Sequence, residues 1–204
     1  MKPVLLLGGG GHAAVVLDVL TLCDVPMAGY LAPSPGRLDL PYLGDDSLLS
    51  TLSPSDYRVA LGVGSTGVMP LRRQLFERAK RWGFECVTLI HPRAIVARSA
   101  VLAEGVQVMA GAVIQPGCHL HENVLVNTAA SVDHHCELAA HCHIAPGARL
   151  SGGVRLGALC HVGTGASLLQ GITLGDHCLV AAGAVVLGNW PAGSRVKGIP
   201  ATQF

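Results

Sequence analysis

One register of aliphatic residues runs through the second half of this chain. Every sixth position from residue 90 to residue 186 carries Ile, Leu or Val, seventeen times in succession. In a half-apolar chain a given register shows such a run by chance in roughly 1 of 100,000 cases. A repeat of this length is typical of the parallel β-helix, in which three hexapeptides form one coil and the coils stack about 4.8 Å apart. The aliphatic positions are Ile90, Val96, Leu102, Val108, Ile114, Leu120, Val126, Val132, Leu138, Ile144, Leu150, Leu156, Val162, Leu168, Leu174, Val180 and Val186.

Two further positions of the repeat support this prediction. Four residues after each aliphatic one, from Ala94 to Ala184, every residue is Ala, Val, Cys or Ile, which predicts side chains packed inside the coil. Three residues after it, from position 105 to position 183, eight of fourteen residues are Gly. Glycine, and to a lesser degree Asn and His, tolerates positive φ, so these positions predict sharp corners. Asn and His stand at four of the other corners: Asn123, His135, His141 and His177.

The remaining composition narrows the class of protein. With a net charge of +1 and three Phe, the chain lacks the basic field and stacking platforms that nucleic acids need. Seven cysteines without a CxxC pair predict reduced thiols and a cytoplasmic location. The apolar residues 4–7 are cut off by glycines and Asp18, so we expect neither an export signal nor a membrane span. Five cysteines occupy the small position and are predicted to be core thiols: Cys118, Cys136, Cys142, Cys160 and Cys178.

The first 88 residues follow a different pattern, in which strands alternate with helices. This alternation predicts an α/β N-terminal domain with a small Rossmann-like parallel sheet, followed by the β-helix over 89–187 and an extended tail over 188–204. We predict strands at 4–7, 27–31, 41–43 and 57–61 and helices at 14–22, 45–52 and 69–82.

The turn after the first strand fits G-x-G-x-x-A, from Gly8 to Ala13. Such turns let main-chain amides approach a phosphate at a helix N-terminus. The end of the second strand reads Leu31-Ala32-Pro33-Ser34, with no acidic residue, which disfavours a nicotinamide dinucleotide. Binding of a nucleotide diphosphate and a merely structural tight turn both stay open.

Six of the ten histidines lie between His119 and His143, where a metal site has to be considered. Few acidic ligands lie nearby and two of these histidines occupy corners, so we expect no metal. His134 lies outside the core and corner positions, and one coil further on stands Gly152. An outward imidazole beside bare main chain suits proton transfer and oxyanion binding at a thioester, although a solvent-facing His is the simpler alternative. His143 and His161 are likewise one coil apart.

The chain resembles the sialic-acid- and bacillosamine-type sugar O- and N-acetyltransferases of the hexapeptide-repeat superfamily, the NeuD/PglD group. The resemblance covers nearly the whole chain. It rests on residues 8–12, 88–92, 127–134, His143, 151–154 and 198–201.

This resemblance implies a homotrimer of left-handed β-helices, with acetyl-CoA bound between neighbouring subunits. It implies a nucleotide-linked amino sugar as the second substrate and places the catalytic base at His134. The implied acetyl-CoA contacts are His143, Gly152, Thr164 and Ala182. The implied substrate contacts are Gly10, Gly11, His12 and Asn127.

The chain departs from the family pattern at two places. The family follows its catalytic His with an acidic residue, whereas this chain has His135, so Asp133 or another subunit has to assist His134, or His134 is a weaker base. The family also has acidic residues after the second strand. We therefore expect N-acetylation of a nucleotide-linked amino sugar, with O-acetylation of a sialic-acid-like sugar or an inactive trimeric scaffold as the alternatives.

Overall fold

The computed structural model of the protein describes residues 1–65 and 71–204. These residues form two compact units: the first holds Met1–Ser65 and the described residues up to Pro92, and the second holds Arg93–Phe204. Among the described residues, no helix combines the length and apolarity that crossing a membrane requires.

The first unit is built on a four-stranded parallel sheet with the order β3-β2-β1-β4. Its elements are β1 (Val4–Leu7), α1 (Gly11–Leu22), β2 (Met27–Leu31), β3 (Tyr42–Gly44), a 3-10 helix (Asp46–Ser50), β4 (Arg58–Leu61), α2 (Leu71–Arg81) and β5 (Leu89–Ile90). The predicted Rossmann-like sheet is confirmed. Helix α1 begins three residues earlier than predicted, because the end of the glycine turn already forms its first residue. The predicted start of the third helix, at residue 69, lies outside the described residues.

The second unit is a parallel β-helix of about six coils, as the hexapeptide register predicts. Each coil gives one short strand to each of three sheets, and strands 18 residues apart pair in register. The His143 face holds Gln107–Val108, Leu125–Val126, His143–Ile144, His161–Val162, Leu179–Val180, Arg195–Lys197 and Thr202–Gln203. The Ser131 face holds Ile95–Val96, Val113–Ile114, Ser131–Val132, Arg149–Leu150, Ser167–Leu168 and Val185–Val186. The Glu137 face holds Val101–Leu102, His119–Leu120, Glu137–Leu138, Arg155–Leu156 and Thr173–Leu174.

The interior of the β-helix follows the predicted register. The aliphatic positions from Val108 to Val186 are all buried, whereas Ile90 belongs to the first unit and is 40% exposed. All fourteen predicted corners have φ between +55° and +73°, including the non-glycine corners Ala129 and Leu159. The left-handed conformation is thus a property of the position in the coil, and glycine is the residue that adopts it without strain.

The five predicted core thiols are buried and unpaired by disulfides. Each Sγ lies within hydrogen-bonding distance of a main-chain carbonyl of the next coil, as Cys118 does to Asp133 at 3.0 Å. The hydrogen bond with Cys118 and burial raise the pKa of the Cys136 thiol. These cysteines therefore act as small core side chains whose S–H groups are satisfied locally.

The C-terminal residues differ from the predicted extended tail. Arg195–Lys197 pairs with Leu179–Val180 and extends the His143 face, and Val196 is buried above Val180. Thr202–Gln203 then folds back antiparallel to this strand. This pairing joins residues that are 16 apart instead of 18. The six-residue register therefore does not predict that Val196 is a core residue.

The corner conformation makes a prediction about two exposed glycines that differ in φ. Gly171 has φ of +70° and Gly188 does not have positive φ, and a Cβ at either position would meet no atom within 4 Å. Gly171→Ala is expected to lower the free energy of unfolding by about 1–2 kcal/mol, because Ala is strained in the left-handed region. Gly188→Ala is expected to be neutral or slightly stabilising. Chemical denaturation of both variants measures the difference, and equal stabilities would contradict the account of the corners.

Candidate active site

His134 lies in the turn between the Ser131 face and the Glu137 face, one residue before the corner residue His135, and its ring covers Gly152 of the next coil. A Cβ on Gly152 would lie 2.5 Å from Nε2 of His134, so any side chain there would displace the ring. The main chains are joined as well, since the N–H of Gly153 donates to the carbonyl of His134 at 2.8 Å. The structure thus brings together the imidazole and the bare main chain that the coil spacing predicts.

The two neighbours of His134 make different contacts. The Nδ1 atoms of His134 and His135 are 3.0 Å apart, and their rings meet edge to face with centroids 5.2 Å apart. The carboxylate of Asp133 instead accepts the main-chain N–H of His134 at 2.7 Å. His135 therefore contacts the ring of His134, and Asp133 fixes its main chain.

A groove of about 330 Å³ runs along the Ser131 face beside this corner. Its lining is polar and includes one basic residue, Arg149, which lies beside the strand residue Ser131. The groove is lined by Val113, Gln115, Ser131, Asp133, Arg149, Leu150 and Ser151. Neither Gln115 nor Arg149 is among the residues predicted for the site from the sequence. Counting 18 residues backward from Asp133 and forward from Ser131 would have found both.

A second cluster of polar side chains lies on the His143 face. The rings of His143 and His161 are both buried and meet edge to face, with centroids 4.9 Å apart. Nδ2 of Asn127 lies 3.1 Å from Nε2 of His143. Because an amide nitrogen only donates, Nε2 of His143 accepts this hydrogen bond and is unprotonated. Burial lowers the pKa of His161, which favours the neutral form of that ring.

Thr164 and Ala182 lie on the edge of the β-helix that follows the His143 face. They are exposed and one coil apart, and the N–H of Gly183 donates to the carbonyl of Thr164 at 2.8 Å. A Cβ on Gly163 would lie 2.6 Å from the main-chain nitrogen of Ala182, so the two coils approach closely there. The predicted acetyl-CoA contacts His143, Thr164 and Ala182 therefore share one side of the β-helix.

His134 and His143 lie on opposite sides of one chain. Each coil passes from the His143 face to the Ser131 face and then to the Glu137 face. In a closed three-sided coil, the corner between the last two faces is opposite the first. One small reacting group therefore cannot touch both histidines of the same chain.

In the first unit, the glycine turn lies where the strand order predicts a ligand. The order of the sheet reverses at β1, and Gly8–His12 and Gly62–Gly64 follow the carboxyl ends of the adjacent strands β1 and β4. A Cβ on Gly10 or on Gly11 would meet no atom within 4 Å, so the start of α1 faces open space. The ring of His12 lies against Gly64.

The loop after β2 begins with Ala32 and Pro33 and approaches the same turn at Gly36. Its Gly36 N–H donates to the hydroxyl of the buried Tyr30 at 2.7 Å. A Cβ on Gly36 would overlap the carbonyl oxygen of Gly9. Within residues 1–65 and 71–204, no three His, Cys, Asp or Glu side chains converge as metal ligands would.

Comparisons with known proteins agree with this architecture. The family model of the PglD N-terminal domain matches residues 3–79. The acetyltransferase domain of PglB from Neisseria gonorrhoeae FA1090, solved in complex with acetyl coenzyme A, is 39% identical over 100% of both chains, with a TM-score of 0.94. PerB from Caulobacter crescentus, solved with CoA and GDP-perosamine, is 37% identical over 100% of this chain and 98% of that one, with a TM-score of 0.94.

The chain belongs to the PglD-like hexapeptide acyltransferase family. The UDP-N-acetylbacillosamine N-acetyltransferase of Bacillus subtilis (strain 168) is a curated relative, 34% identical over 117 residues. That match covers 54% of this chain, and the chain spans about half the length of this relative, 52%.

The buried His161 makes a prediction about stability and pH. Because burial lowers the pKa of His161 in the folded chain, the unfolded chain binds this proton at a higher pH. Stability is therefore expected to fall as the pH drops below the ordinary imidazole value of about 6.5. His161→Gln, which does not titrate, should lose less stability than the parent between about pH 7.5 and pH 5.5. Thermal denaturation across this range tests it, with the exposed His119→Gln as the control; equal losses for the parent and His161→Gln would contradict the prediction.

Proposed function

We propose that this protein transfers an acetyl group from acetyl-CoA to the amino group of a nucleotide-linked amino sugar, with His134 as the general base. The observation that carries the proposal is the His134 ring lying directly over the bare main chain of Gly152. Relatives with more than a third of their residues identical to this chain include one solved with acetyl coenzyme A and one solved with CoA and GDP-perosamine. The proposal applies their chemistry to this site.

The reaction needs a proton acceptor and an oxyanion donor at one place. Acetyl-CoA supplies the acetyl group as a thioester. As the amine attacks the thioester carbonyl, Nε2 of His134 takes the proton that the amine loses. The N–H of Gly152 has no partner among the described residues and is available to the carbonyl oxygen as it becomes negative. His134 then returns the proton to the leaving sulfur, and the amide and free CoA result.

The thioester binds at residues of two chains in this proposal. His143, Thr164 and Ala182 lie on the side of the β-helix opposite His134, so a second copy has to place them beside the first copy's His134 and Gly152. A closed cyclic assembly meets this requirement at every interface. We propose a homotrimer. In a closed ring of three copies, each three-sided β-helix can present its His134 side to one neighbour and its His143 side to the other.

The first unit is proposed to hold the nucleotide of the amino sugar. The diphosphate would bind the main-chain amides of Gly10 and Gly11 at the start of α1, beside His12, where a Cβ would find open space. Asn127 is proposed to contact the substrate near the acetyl group. Since Ala32 and Pro33 stand directly after β2, where the family has acidic residues, main-chain groups of the loop around Gly36 are proposed to hold the nucleoside.

Two other functions make different demands on the site. O-acetylation of a sialic-acid-like sugar uses the same His134 and Gly152 but needs no nucleotide at Gly10 and Gly11. An inactive trimeric scaffold needs no bound acetyl-CoA at all. Calorimetry with acetyl-CoA separates the scaffold from both enzymes, since absent binding at millimolar ligand favours the scaffold.

The cytoplasmic location stays a prediction from the unpaired cysteines.

Release of CoA with UDP-, GDP- and dTDP-linked amino sugars as acceptors tests the proposal. His134→Ala is expected to lower kcat by roughly 100- to 10,000-fold, the usual contribution of a positioned general base. Gly152→Ala is expected to lower kcat strongly as well, because the new Cβ occupies the place of the ring. The controls are His119→Ala, an exposed histidine on the Glu137 face, and Gly188→Ala. Near-normal turnover by His134→Ala, or activity with free sugar acids only, would overturn the proposed reaction.

A further inference from the structure

We propose that His135 is a positioning residue that holds His134 in the tautomer a base requires. The inference rests on the function proposed above and adds a residue to it. The Nδ1 atoms of the two rings are 3.0 Å apart, and an N–H···N hydrogen bond at this distance requires a proton on only one of them. A base that accepts at Nε2 carries its own proton on Nδ1. His134 is therefore the donor, and Nδ1 of His135 is the acceptor.

The two rings lie in places that neighbouring coils keep clear for them. The ring of His135 lies over Gly117 of the preceding coil, where a Cβ would be 2.8 Å from its Cδ2. The ring of His134 lies over Gly152 of the following coil. His135 is also fixed by its main chain, which has φ of +56° and donates its N–H to the carbonyl of Pro116 at 3.0 Å. The contact between the rings is thus set by two coils and not by a freely rotating surface side chain.

Asp133 does not take this role. Its carboxylate accepts the main-chain N–H of His134 at 2.7 Å, and Asp133 and Arg149 both line the groove. In the described part of the chain, Asp133 makes no hydrogen bond to the ring of His134. The Nδ1 partner within this chain is the imidazole of His135.

An imidazole partner has a consequence that a carboxylate partner lacks. A protonated His135 carries a hydrogen on Nδ1 and can no longer accept the bond from His134. The active form therefore needs two unprotonated acceptors, Nε2 of His134 and Nδ1 of His135. Asp133 is the charged group beside the pair, Arg149 lines the same groove as Asp133, and the facing residues Pro116, Gly117 and Gly152 do not titrate.

Nitrogen-15 NMR of the full-length protein reads the tautomers without any turnover. At alkaline pH we expect the Nδ1–H form for His134 and the Nε2–H form for His135. Nε2–H signals for both rings would overturn the proposal. In His135→Gly, which keeps the corner conformation, His134 should lose its preference for the Nδ1–H form. This readout stays valid even if the proposed acetyl transfer is wrong.

On the acidic side of the pH profile, the slope of log(kcat/KM) gives the number of protons whose binding inactivates the enzyme. We expect the limb of the parent to be steeper than that of His135→Asn by about one unit of slope, because Asn supplies an acceptor that does not titrate. Any titration of the substrate is the same for the parent and for His135→Asn, so it cancels in the comparison. His135→Gly should lower kcat by at least about 10-fold and more than His135→Asn does.

The matched control is His177→Asn, a corner histidine with φ of +58° that lies away from this pair. Its slope should equal that of the parent. Equal slopes for the parent and His135→Asn, or full turnover by His135→Gly, would overturn the role of His135. Full turnover by His134→Ala would instead overturn the proposed function, so the two failures are distinguishable.

Discussion

The pairing of residues 18 apart is the constraint on which the rest of the β-helix depends. It stacks each aliphatic side chain on the next one of its kind, and it also stacks every corner on a corner. The corners must turn with positive φ, as all fourteen do. The outward residues are stacked by the same rule, which places His161 beside His143 and Gly152 beneath the ring of His134. The site is therefore a product of the same repeat that builds the core.

This regularity explains how much could be predicted from the sequence. The aliphatic, small and corner positions repeat every six residues, so the buried side chains and the His134–Gly152 stacking follow from counting alone. In the first unit, the apolar runs at residues 4–7 and 27–31 mark β1 and β2 because a parallel sheet buries strands on both faces. The glycine turn after β1 marks the ligand-facing end of that sheet.

Other features depend on contacts that counting does not reveal. Val196 enters the core after a spacing of 16 residues, because the chain takes a shorter path at the end of the β-helix. The choice of His135 over Asp133 as the partner of the His134 ring depends on rotamers and on the room that Gly117 leaves. Arg149 lines the groove because its strand pairs with that of Ser131, and the pattern of histidines and glycines does not indicate this placement. The nucleoside contacts depend on the loop around Gly36, whose residues carry no recognisable motif.

The central claim is that each reaction site combines His134 of one copy with His143 of its neighbour. Co-expression of His134→Ala with His143→Ala, each expected to lose most of its turnover when expressed alone, tests it most directly. In randomly mixed trimers at equal amounts, about a quarter of the sites receive an intact histidine from each chain, so turnover per site should recover to about a quarter of that of the parent. Mixtures of the two separately purified, unexchanged variants should stay inactive. Co-expressed trimers that contain both chains and show no recovery would contradict the account.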